Sequence, residues 1–503
     1  MGINFCSEAI NRIIEYKPEL KMNNTSRRLL SVGKRTDNNE YFDVAKEIKR
    51  SRDFNNQLCK IEKEQNKSIS ICNLDTGNPL KYKPFPLINK YLGNCLKNDY
   101  LYKYPDASGE EQYRSKVNRY LWNEGYSKET NVDNILFSMS TTQAFRLIIK
   151  VIARPYDVIL FTAPNYGLFT FIVENTDAIV KCVELKKEDE WYINPKNVAN
   201  EIDLINKELE TKYKDLEYIP KVVAFFNENP HNPTGKVIGN NKKELLEELI
   251  DVCAKRNVFI IDDLIYRDIS YNFNDKALPI ATLKKNEDLI ISLFGVSKSY
   301  GLAGVRAGFI VANEVIIQGI KDLIFQEMDS IPIIQSAILA ACYNDSLKRK
   351  KDYDKYFRKL IEEYKFSFDI VNAMINGIDN VEDKKIKEKI RNKIKKLYPI
   401  EADELLKGIN LIKIVDHMIP ESGFFLVLDF SKIIGKKYNN IKINNMQDFA
   451  KIIYKEQNIR LLIGESMSWP IKGQAIGRIT YSLPKDDLIE AFKRIHYLIE
   501  ELK

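Results

Sequence analysis

"SLFGVSKSYGLAGVRAGFI", residues 292–310, keeps two cations, Lys298 and Arg306, in a stretch of otherwise small, apolar and hydroxyl-bearing residues. A lysine whose surroundings disfavour its charged form has a lowered pKa and becomes nucleophilic, which suits Schiff-base chemistry with an aldehyde. An arginine beside small residues suits a phosphate group. An ordinary strand followed by a solvated loop also explains the pair, so the remainder of the chain has to decide between the two interpretations.

The segment from about residue 130 to 310 alternates short apolar runs with helical patterns. The runs are "ILFS" (135–138), "VILFTA" (158–163), "KVVAFFN" (221–227), "VFIIDD" (258–263) and "LIISLFGV" (289–296). Continuous apolar strands separated by helices predict an α/β domain whose sheet is covered on both faces. Ligands of open α/β sheets bind beyond the strand ends. The residues that follow these runs are therefore candidates for one site.

After about residue 325 the pattern becomes strongly helical and a second set of short strands follows. These strands are "GFFLVLDF" (423–430), "IRLLIG" (459–464) and "GRITYSL" (477–483), and they predict a separate α+β domain. The lysine-rich stretch "DKKIKEKIRNKIKKLYP" (383–399) has isoleucines at helical spacing. We interpret it as a solvated amphipathic helix that packs one narrow stripe; binding to a membrane surface or an acidic partner is the alternative.

The composition argues against several classes of protein. A hydrophobic content of 44% indicates a folded chain, and a net charge of +7 over 503 residues does not indicate nucleic-acid binding. Three histidines and seven scattered cysteines argue against a metal centre and a disulfide framework, and they predict reduced thiols in the cytoplasm. Charged residues near the start interrupt any signal sequence, so we expect no targeting segment and no membrane span.

Hydroxyl and aromatic side chains follow the first two runs. Ser140, Thr141 and Thr142 open the apolar helix "MSTTQAFRLIIKVI" (139–152). Their hydroxyls can cap that helix, and the free N–H groups at a helix start attract a phosphate. Tyr166 in "PNYGLF" (164–169) can stack on a flat cofactor or belong to the core.

An amide and two carboxylates follow the next two runs. Asn232 lies in the tight polar turn "ENPHNPTG" (228–235) and can face a ligand oxygen. Asp263 in "DDLIY" (262–266) follows a buried strand, where a carboxylate is costly unless it meets a cation or a protonated ring nitrogen; capping of the next turn is the alternative. With the lysine and arginine, these groups meet the needs of pyridoxal phosphate, namely for its aldehyde, phosphate, pyridine nitrogen, phenolic oxygen and ring face.

"HNPTG" (231–235), "DDLIY" and "SKSYGLAGVRAGF" (297–309), in this order, resemble the motifs of the class I/II aminotransferase family, which are fold type I pyridoxal-phosphate-dependent enzymes. The resemblance extends from "LDTGNP" (74–79) to "GRITYSLP" (477–484). It implies an α/β fold with a mostly parallel seven-stranded sheet in a large domain, and a smaller α+β domain.

The predicted domain boundaries follow from the resemblance and the composition. They are a helical extension at 1–68, an arm contributing to the small domain at 69–102, the large cofactor-binding domain at 103–325, and the small C-terminal domain at 326–503 with a lysine-rich insertion at about 376–420.

Carried over by position, the resemblance assigns the catalytic residues. Lys298 matches the lysine that forms the Schiff base with the cofactor. Asp263 matches the aspartate that pairs with the pyridinium nitrogen, and Tyr266 and Asn232 match the residues that hold the phenolic oxygen. Tyr166 matches the stacking aromatic.

The resemblance also implies the phosphate and substrate contacts. Arg306, Ser140, Thr141, Thr142 and Ser297 are expected near the phosphate. Tyr104 in "YPDASG" (104–109) resembles the tyrosine that reaches the phosphate of a neighbouring subunit, which implies a homodimer with shared active sites. Gly77 and Asn232 are expected to line the substrate side, and Arg478 matches the arginine that binds the substrate α-carboxylate.

The sequence departs from the family pattern in four places. Gly295 stands where a phosphate-binding serine is common, and the absent hydroxyl contact is worth roughly 1 kcal/mol. Ser140 replaces the usual glycine of the phosphate cup, and Leu264 replaces a common acidic residue. "LLIGESMSW" (461–469) lacks the usual Pro-Gly, which leaves the substrate open.

The expected activity is transfer of an amino group from an L-amino acid to a 2-oxo acid in the cytoplasm, with no metal, nucleic acid or membrane as partner. Relatives with the same motifs eliminate, cyclise, decarboxylate or oxidise, and such chemistry is the first alternative. A transcription regulator with an aminotransferase-like domain is a remote one, because residues 1–68 mix acidic with basic residues and show no β-wing.

Overall fold

The structure is a computed structural model that describes residues 57–58, 61, 69–97, 99–215, 217–344, 347–469 and 474–503. Nearly all of the extension predicted at residues 1–68 lies outside the described residues, so that prediction stays open. The other boundaries also stay predictions.

The strands are short, and most of them coincide with the apolar runs of the sequence. They are β1 (Cys72–Asn73), β2 (Ile135–Ser138), β3 (Val158–Ala163), β4 (Ile179–Glu184), β5 (Val222–Glu228), β6 (Phe259–Asp263), β7 (Ile290–Gly295), β8 (Gly308–Val311), β9 (Lys413–Ile414), β10 (Phe425–Asp429), β11 (Lys437–Tyr438), β12 (Ile441–Lys442), β13 (Ile459–Arg460), β14 (Leu462–Ile463) and β15 (Ile476–Thr480).

Helices occupy most of the intervening segments. They are α1 (Ile88–Leu96), α2 (Glu111–Asn123), α3 (Thr141–Ile152), α4 (Gly167–Glu174), α5 (Pro195–Lys212), α6 (Lys243–Ala254), α7 (Glu314–Met328), α8 (Ile333–Cys342), α9 (Leu347–Asn376), α10 (Lys384–Leu397), α11 (Ala402–Leu405), α12 (Met446–Gln457) and α13 (Lys485–Glu500).

A seven-stranded sheet in the order β2-β8-β7-β6-β5-β3-β4 forms the centre of the large domain. Strands β3 to β7 run parallel, and β8 is antiparallel to both of its neighbours. Every residue of β2, β3, β5 and β7 is buried, as expected for a sheet covered by helices on both faces. The predicted mostly parallel, seven-stranded sheet is confirmed.

A four-stranded antiparallel sheet, β14-β15-β10-β9, lies in the C-terminal part of the chain. Helices α9 and α13 pack against each other beside it. Strand β15 is central in this sheet and carries Arg478, whereas β1 pairs with β13 and so joins the segment around residue 72 to the C-terminal part.

The lysine-rich stretch forms helix α10, which begins after the capping residue Asp383. Ile390 and Ile394 are buried on one side, and Ile386 and Leu397 pack partly against the same core. The helix therefore buries one narrow stripe, as its spacing predicts. Across the described ranges, no helix combines the length and apolar character needed to cross a membrane.

Candidate active site

Lys298 lies in the turn after β7, with its side chain largely enclosed. Its Nζ atom donates a hydrogen bond to the carbonyl oxygen of Gly77 at 2.5 Å. Burial lowers the pKa of the ammonium group to about 8, and the positive charges of Arg478 and Arg306 add to this effect, while Asp263 opposes it. A substantial fraction of Lys298 is therefore a neutral amine near pH 8.

Asp263 ends β6, the strand next to β7, and is 3% exposed. Its Oδ1 atom accepts a hydrogen bond from the N–H of Ile265 at 3.1 Å. Burial raises the pKa of this carboxyl to about 7; the backbone hydrogen bond and Lys298 oppose the rise, and the charge of Asp262 adds to it. A cation placed against Asp263 would remove most of the cost of its burial.

The N-terminus of helix α3 lies at the same end of the sheet. The Oγ atom of Ser140 accepts a hydrogen bond from the N–H of Gln143 at 3.2 Å, so Ser140 is the capping residue. As at any helix start, the N–H groups of Thr141 and Thr142 have no partner within the helix. They and the helix dipole favour an anion at this point.

Two glycines allow α3 to approach the ends of β7 and β8. A Cβ atom on Gly308 would lie 3.0 Å from the N atom of Thr141, and one on Gly295 would lie 3.0 Å from its Cγ2 methyl group. The family commonly has serine at the position of Gly295. In this chain the methyl group of Thr141 occupies the space that a larger side chain at position 295 would need, which explains the glycine.

Arg306 and Ser297 lie with Lys298 in the loop that connects β7 to β8. Arg306 is exposed and adopts a left-handed conformation, with φ of 59°, and its Nη1 atom bonds the carbonyl of Ala303 at 3.0 Å. Its charge acts on both Lys298 and Tyr166. Ser297 is buried next to the lysine.

Arg478 is 3% exposed and points from β15 toward the lysine. Its Nη1 atom donates to Oδ1 of Asn232 at 3.2 Å, and Nη2 donates to the carbonyl oxygen of Asp75 at 2.9 Å. The guanidinium carbon lies 3.9 Å from the centre of the Phe425 ring. The fork is thus held in one orientation before any ligand binds.

Tyr166 and Tyr266 provide aromatic walls. Tyr166 precedes α4, and its ring packs edge-on against Phe169. Tyr266 packs against Phe424 and Phe425 with ring centres 5.7 and 6.1 Å apart. Burial raises the pKa of the Tyr266 hydroxyl, so Tyr266 remains a hydrogen-bond donor throughout the neutral range.

Six of the residues predicted from the sequence line one cavity of about 340 Å³: Gly77, Tyr166, Asn232, Tyr266, Lys298 and Arg478. This volume lies in the range of small-ligand and cofactor sites. Leu168, Phe171 and Leu462 add apolar surface. Tyr104 does not line this cavity; it is 89% exposed on its own chain.

Sequence reasoning missed two acidic residues of this region. The backbone of Asp75 fixes Arg478, and Glu228 is a buried carboxyl at the end of β5. A charged residue directly after the apolar run "VVAFFN" was the available signal for Glu228, whereas the role of Asp75 depends on a contact across 403 residues.

The profile of the family "Aminotransferase class I and II" matches residues 70–386 of the chain. An LL-diaminopimelate aminotransferase of Nitratidesulfovibrio vulgaris is 24% identical over 320 residues, which are 62% of this chain and 73% of the relative. An aspartate aminotransferase of Sulfurisphaera tokodaii is 22% identical over 464 residues, or 92% of this chain and 94% of the relative.

Solved structures show the same fold. The aspartate aminotransferase of Rhizobium meliloti superposes with a TM-score of 0.70 at 14% identity, covering 90% of this chain and 96% of that chain. A Thermus thermophilus aspartate aminotransferase with maleate gives a TM-score of 0.66 at 16% identity, covering 89% and 96%. The chain belongs to the aminotransferase class I and II family, whose members use pyridoxal phosphate.

Proposed function

We propose that this aminotransferase binds pyridoxal 5'-phosphate through Lys298 and transfers an amino group from an L-amino acid to a 2-oxo acid. The observation that carries the proposal is the pairing in one cavity of Lys298, whose pKa is about 8, with the fixed guanidinium of Arg478. One group suits an aldehyde and the other suits a carboxylate.

The residues present fit the cofactor. Asp263 is a buried carboxyl with one backbone donor, so a cationic ring nitrogen would stabilise its charged form. The start of α3, from Ser140 to Thr142, and the Arg306 guanidinium are the phosphate ligands that we propose. Ser297 is proposed as a further phosphate ligand.

Three further residues are proposed to contact the ring or its phenolic oxygen. Tyr166 would stack on its face, because it stands at the wall of the cavity. Tyr266 and Asn232 would hold the phenolic oxygen, one with a hydroxyl donor and the other with an amide. When bound, pyridoxal phosphate supplies an aldehyde that condenses with amines and a ring that accepts the electrons released from the substrate Cα–H bond.

Lys298 is the proposed acid–base group of the reaction. As a neutral amine it can take the proton from the substrate Cα atom, and its pKa of about 8 lies close to the neutral range, where proton transfer in both directions is efficient. Its bond to the carbonyl of Gly77, which also lines the cavity, supports this role, because we place the substrate on the side of Gly77.

Arg478 is the proposed anchor for the substrate α-carboxylate. Its planar fork matches a carboxylate, and Asn232 and Asp75 hold it in place. The cavity is otherwise apolar where Leu168, Phe171 and Leu462 line it. The relatives are named for several different amino donors, so the substrate is not assigned from them.

We also propose a homodimer in which Tyr104 contributes to the neighbouring site. Its exposure of 89%, outside the cavity of its own chain, supports this role. The free thiols of the described cysteines support the expected cytoplasmic location.

Reduction of the cofactor-loaded protein with borohydride, followed by peptide mapping, tests the assignment. The pyridoxyl group is expected on Lys298 and absent from Lys276, a second lysine whose pKa burial lowers but which pairs with Asp268 instead. Labelling of Lys276 in place of Lys298, or no labelling at all, would refute the proposal. Stoichiometric use of a 2-oxo acid with the amino donor separates transfer from elimination or decarboxylation.

A further inference from the structure

Strands β5 and β6 end in two cross-strand pairs that face opposite sides of the sheet, an amide–carboxyl pair and a carboxyl–carboxyl pair. The register places Asn227 opposite Asp262 and Glu228 opposite Asp263. The amide of Asn227 donates to Oδ1 of Asp262 at 2.8 Å, which satisfies that carboxylate. Because side chains alternate along a strand, Glu228 and Asp263 share the other face, which is the face of Lys298.

Glu228 has few groups to stabilise a negative charge. It is 8% exposed, its carboxyl accepts a hydrogen bond from the N–H of Tyr166, and its Oε2 atom has no partner among the residues that the structure describes. The titratable and charged groups that act on it or respond to it are Asp263, Arg478, Tyr166 and Tyr266.

We propose that Glu228 and Asp263 share one proton, with Glu228 as the neutral partner, so that Glu228 is a positioning residue that leaves Asp263 as the single carboxylate of the site. When two buried carboxyl groups lie opposite each other on adjacent strands, ionisation of both is electrostatically unfavourable. Asp263 has a backbone donor and Lys298 to stabilise its charge, whereas no donor among the described residues reaches Oε2 of Glu228.

The pKa shifts of the two carboxyl groups support Glu228 as the neutral partner and Asp263 as the charged one. Burial, and then the charge of Asp263, raises the pKa of Glu228 far above its ordinary value, whereas the pKa of Asp263 rises only to about 7. Asp263 therefore ionises first. The pair behaves as one coupled acid with two steps.

A neutral Glu228 leaves the Arg478 guanidinium available for the substrate carboxylate. A charged Glu228 would give the Arg478 guanidinium an internal counter-ion, and the substrate carboxylate would have to compete with it. It would also repel the Asp263 carboxylate. The effect of Glu228 on the cofactor ring nitrogen and on the substrate carboxylate rests on the proposed function. The sharing of one proton by Glu228 and Asp263 does not depend on it.

Thermal unfolding of the full-length protein without added cofactor tests the shared proton. A carboxyl whose pKa is raised in the folded state favours folding at low pH, and this advantage is lost as pH rises from its unfolded value of 4.5. The Glu228→Gln variant lacks this loss, so its melting temperature should exceed that of the wild type by an increasing margin between pH 5 and 8, reaching at least about 2 °C.

The Asp263→Asn background separates a pair from two independent acids. Burial is the larger cause of the raised pKa of Glu228, but removal of the Asp263 charge still lowers this pKa, so the gain from Glu228→Gln at pH 8 should become smaller. Glu201→Gln is the control, since Glu201 is a half-buried acid with a raised pKa that has no part in the pair. Its effect should be the same with and without Asp263→Asn. The proposal would be overturned if the gain in melting temperature from Glu228→Gln were undiminished in the Asp263→Asn background, or if the Glu228→Gln variant failed to fold.

Titration with pyridoxal phosphate, followed by absorbance, tests which partner is neutral. Replacement of a neutral acid by an amide of the same shape should change the dissociation constant less than threefold, whereas Asp263→Asn should weaken binding at least tenfold. Equal losses for both variants would show an ionised Glu228 and refute the assignment. If no protein binds the cofactor while the thermal coupling persists, the proposed function fails and the proton sharing stands.

Discussion

The Nζ atom of Lys298 lies 2.5 Å from the carbonyl oxygen of Gly77, 221 residues earlier in the chain. A Cβ atom at position 77 would lie 3.2 Å from that amine and 3.6 Å from the Phe425 ring. We therefore expect Gly77→Ala to displace the amine and to reduce kcat/KM roughly tenfold, which corresponds to about 1.4 kcal/mol. Gly93→Ala on α1 is the control, because no described atom outside its own helix backbone and chain neighbours lies within 4 Å of its Cβ position. A Gly77→Ala variant with wild-type kinetics would show that the contact is not needed.

Capture of the cofactor should depend on the protonation of Lys298. Only the neutral amine attacks an aldehyde, so the rate of pyridoxal phosphate binding should rise with pH and level off above about 8. The charge of Arg306 helps to lower that pKa, and Arg306→Gln should therefore shift the profile to higher pH. Stopped-flow absorbance between pH 6 and 9.5 measures both profiles. A rate that does not change over this range would contradict the assignment of the lysine.

Arg478→Lys should raise KM for the amino acid by about 100-fold, because a lysine cannot offer two parallel N–H donors to a carboxylate. It would also lose the contacts of the fork with Asn232 and the Asp75 carbonyl. Arg494→Lys is the matched control: this arginine bonds Glu490 and the backbone of Ser70, away from the cavity. Steady-state kinetics with several amino donors measures the effect. Similar KM values for the two variants would argue against Arg478 as the anchor.

Most strands of the central sheet could be predicted from the sequence because they coincide with distinctive apolar runs, whereas the order of the strands in the sheet could not. Local patterns and the rule that parallel strands end at one edge placed Lys298, Asp263, Asn232 and Tyr166 at strand ends, and their roles came from the family resemblance and stay predictions. The roles of Asp75 and Glu228 could not be predicted in this way. They depend on the pairing of distant segments and on which face of β5 a side chain occupies, and one residue of register decides that face.

A dimer with shared sites predicts recovery of activity in mixed subunits. Lys298→Ala and Tyr104→Ala chains should each be impaired, but a hybrid of the two has one site in which both residues are native. Mixing equal amounts under exchanging conditions should restore roughly a quarter of wild-type activity. Lys298→Ala mixed with Arg478→Ala is the control and should recover nothing, since both residues line the cavity of one chain. Absence of recovery in the first mixture would place Tyr104 outside the site.

The contact between Gly295 and Thr141 predicts a compensating pair of substitutions. Serine at position 295 would supply the hydroxyl that is common in the family, but its Cβ atom would lie 3.0 Å from the Thr141 methyl group. Gly295→Ser alone should therefore push α3 away and weaken cofactor binding several-fold.

Thr141→Ser removes that methyl group and keeps the hydroxyl, so the double variant should bind pyridoxal phosphate within about threefold of the wild type. Coupling between contacting residues is commonly 0.5–3 kcal/mol, which such a cycle resolves. Dissociation constants from absorbance titration of all four proteins provide the measurement. Additive effects would mean that the two positions do not compete for space, and that the missing serine has another cause.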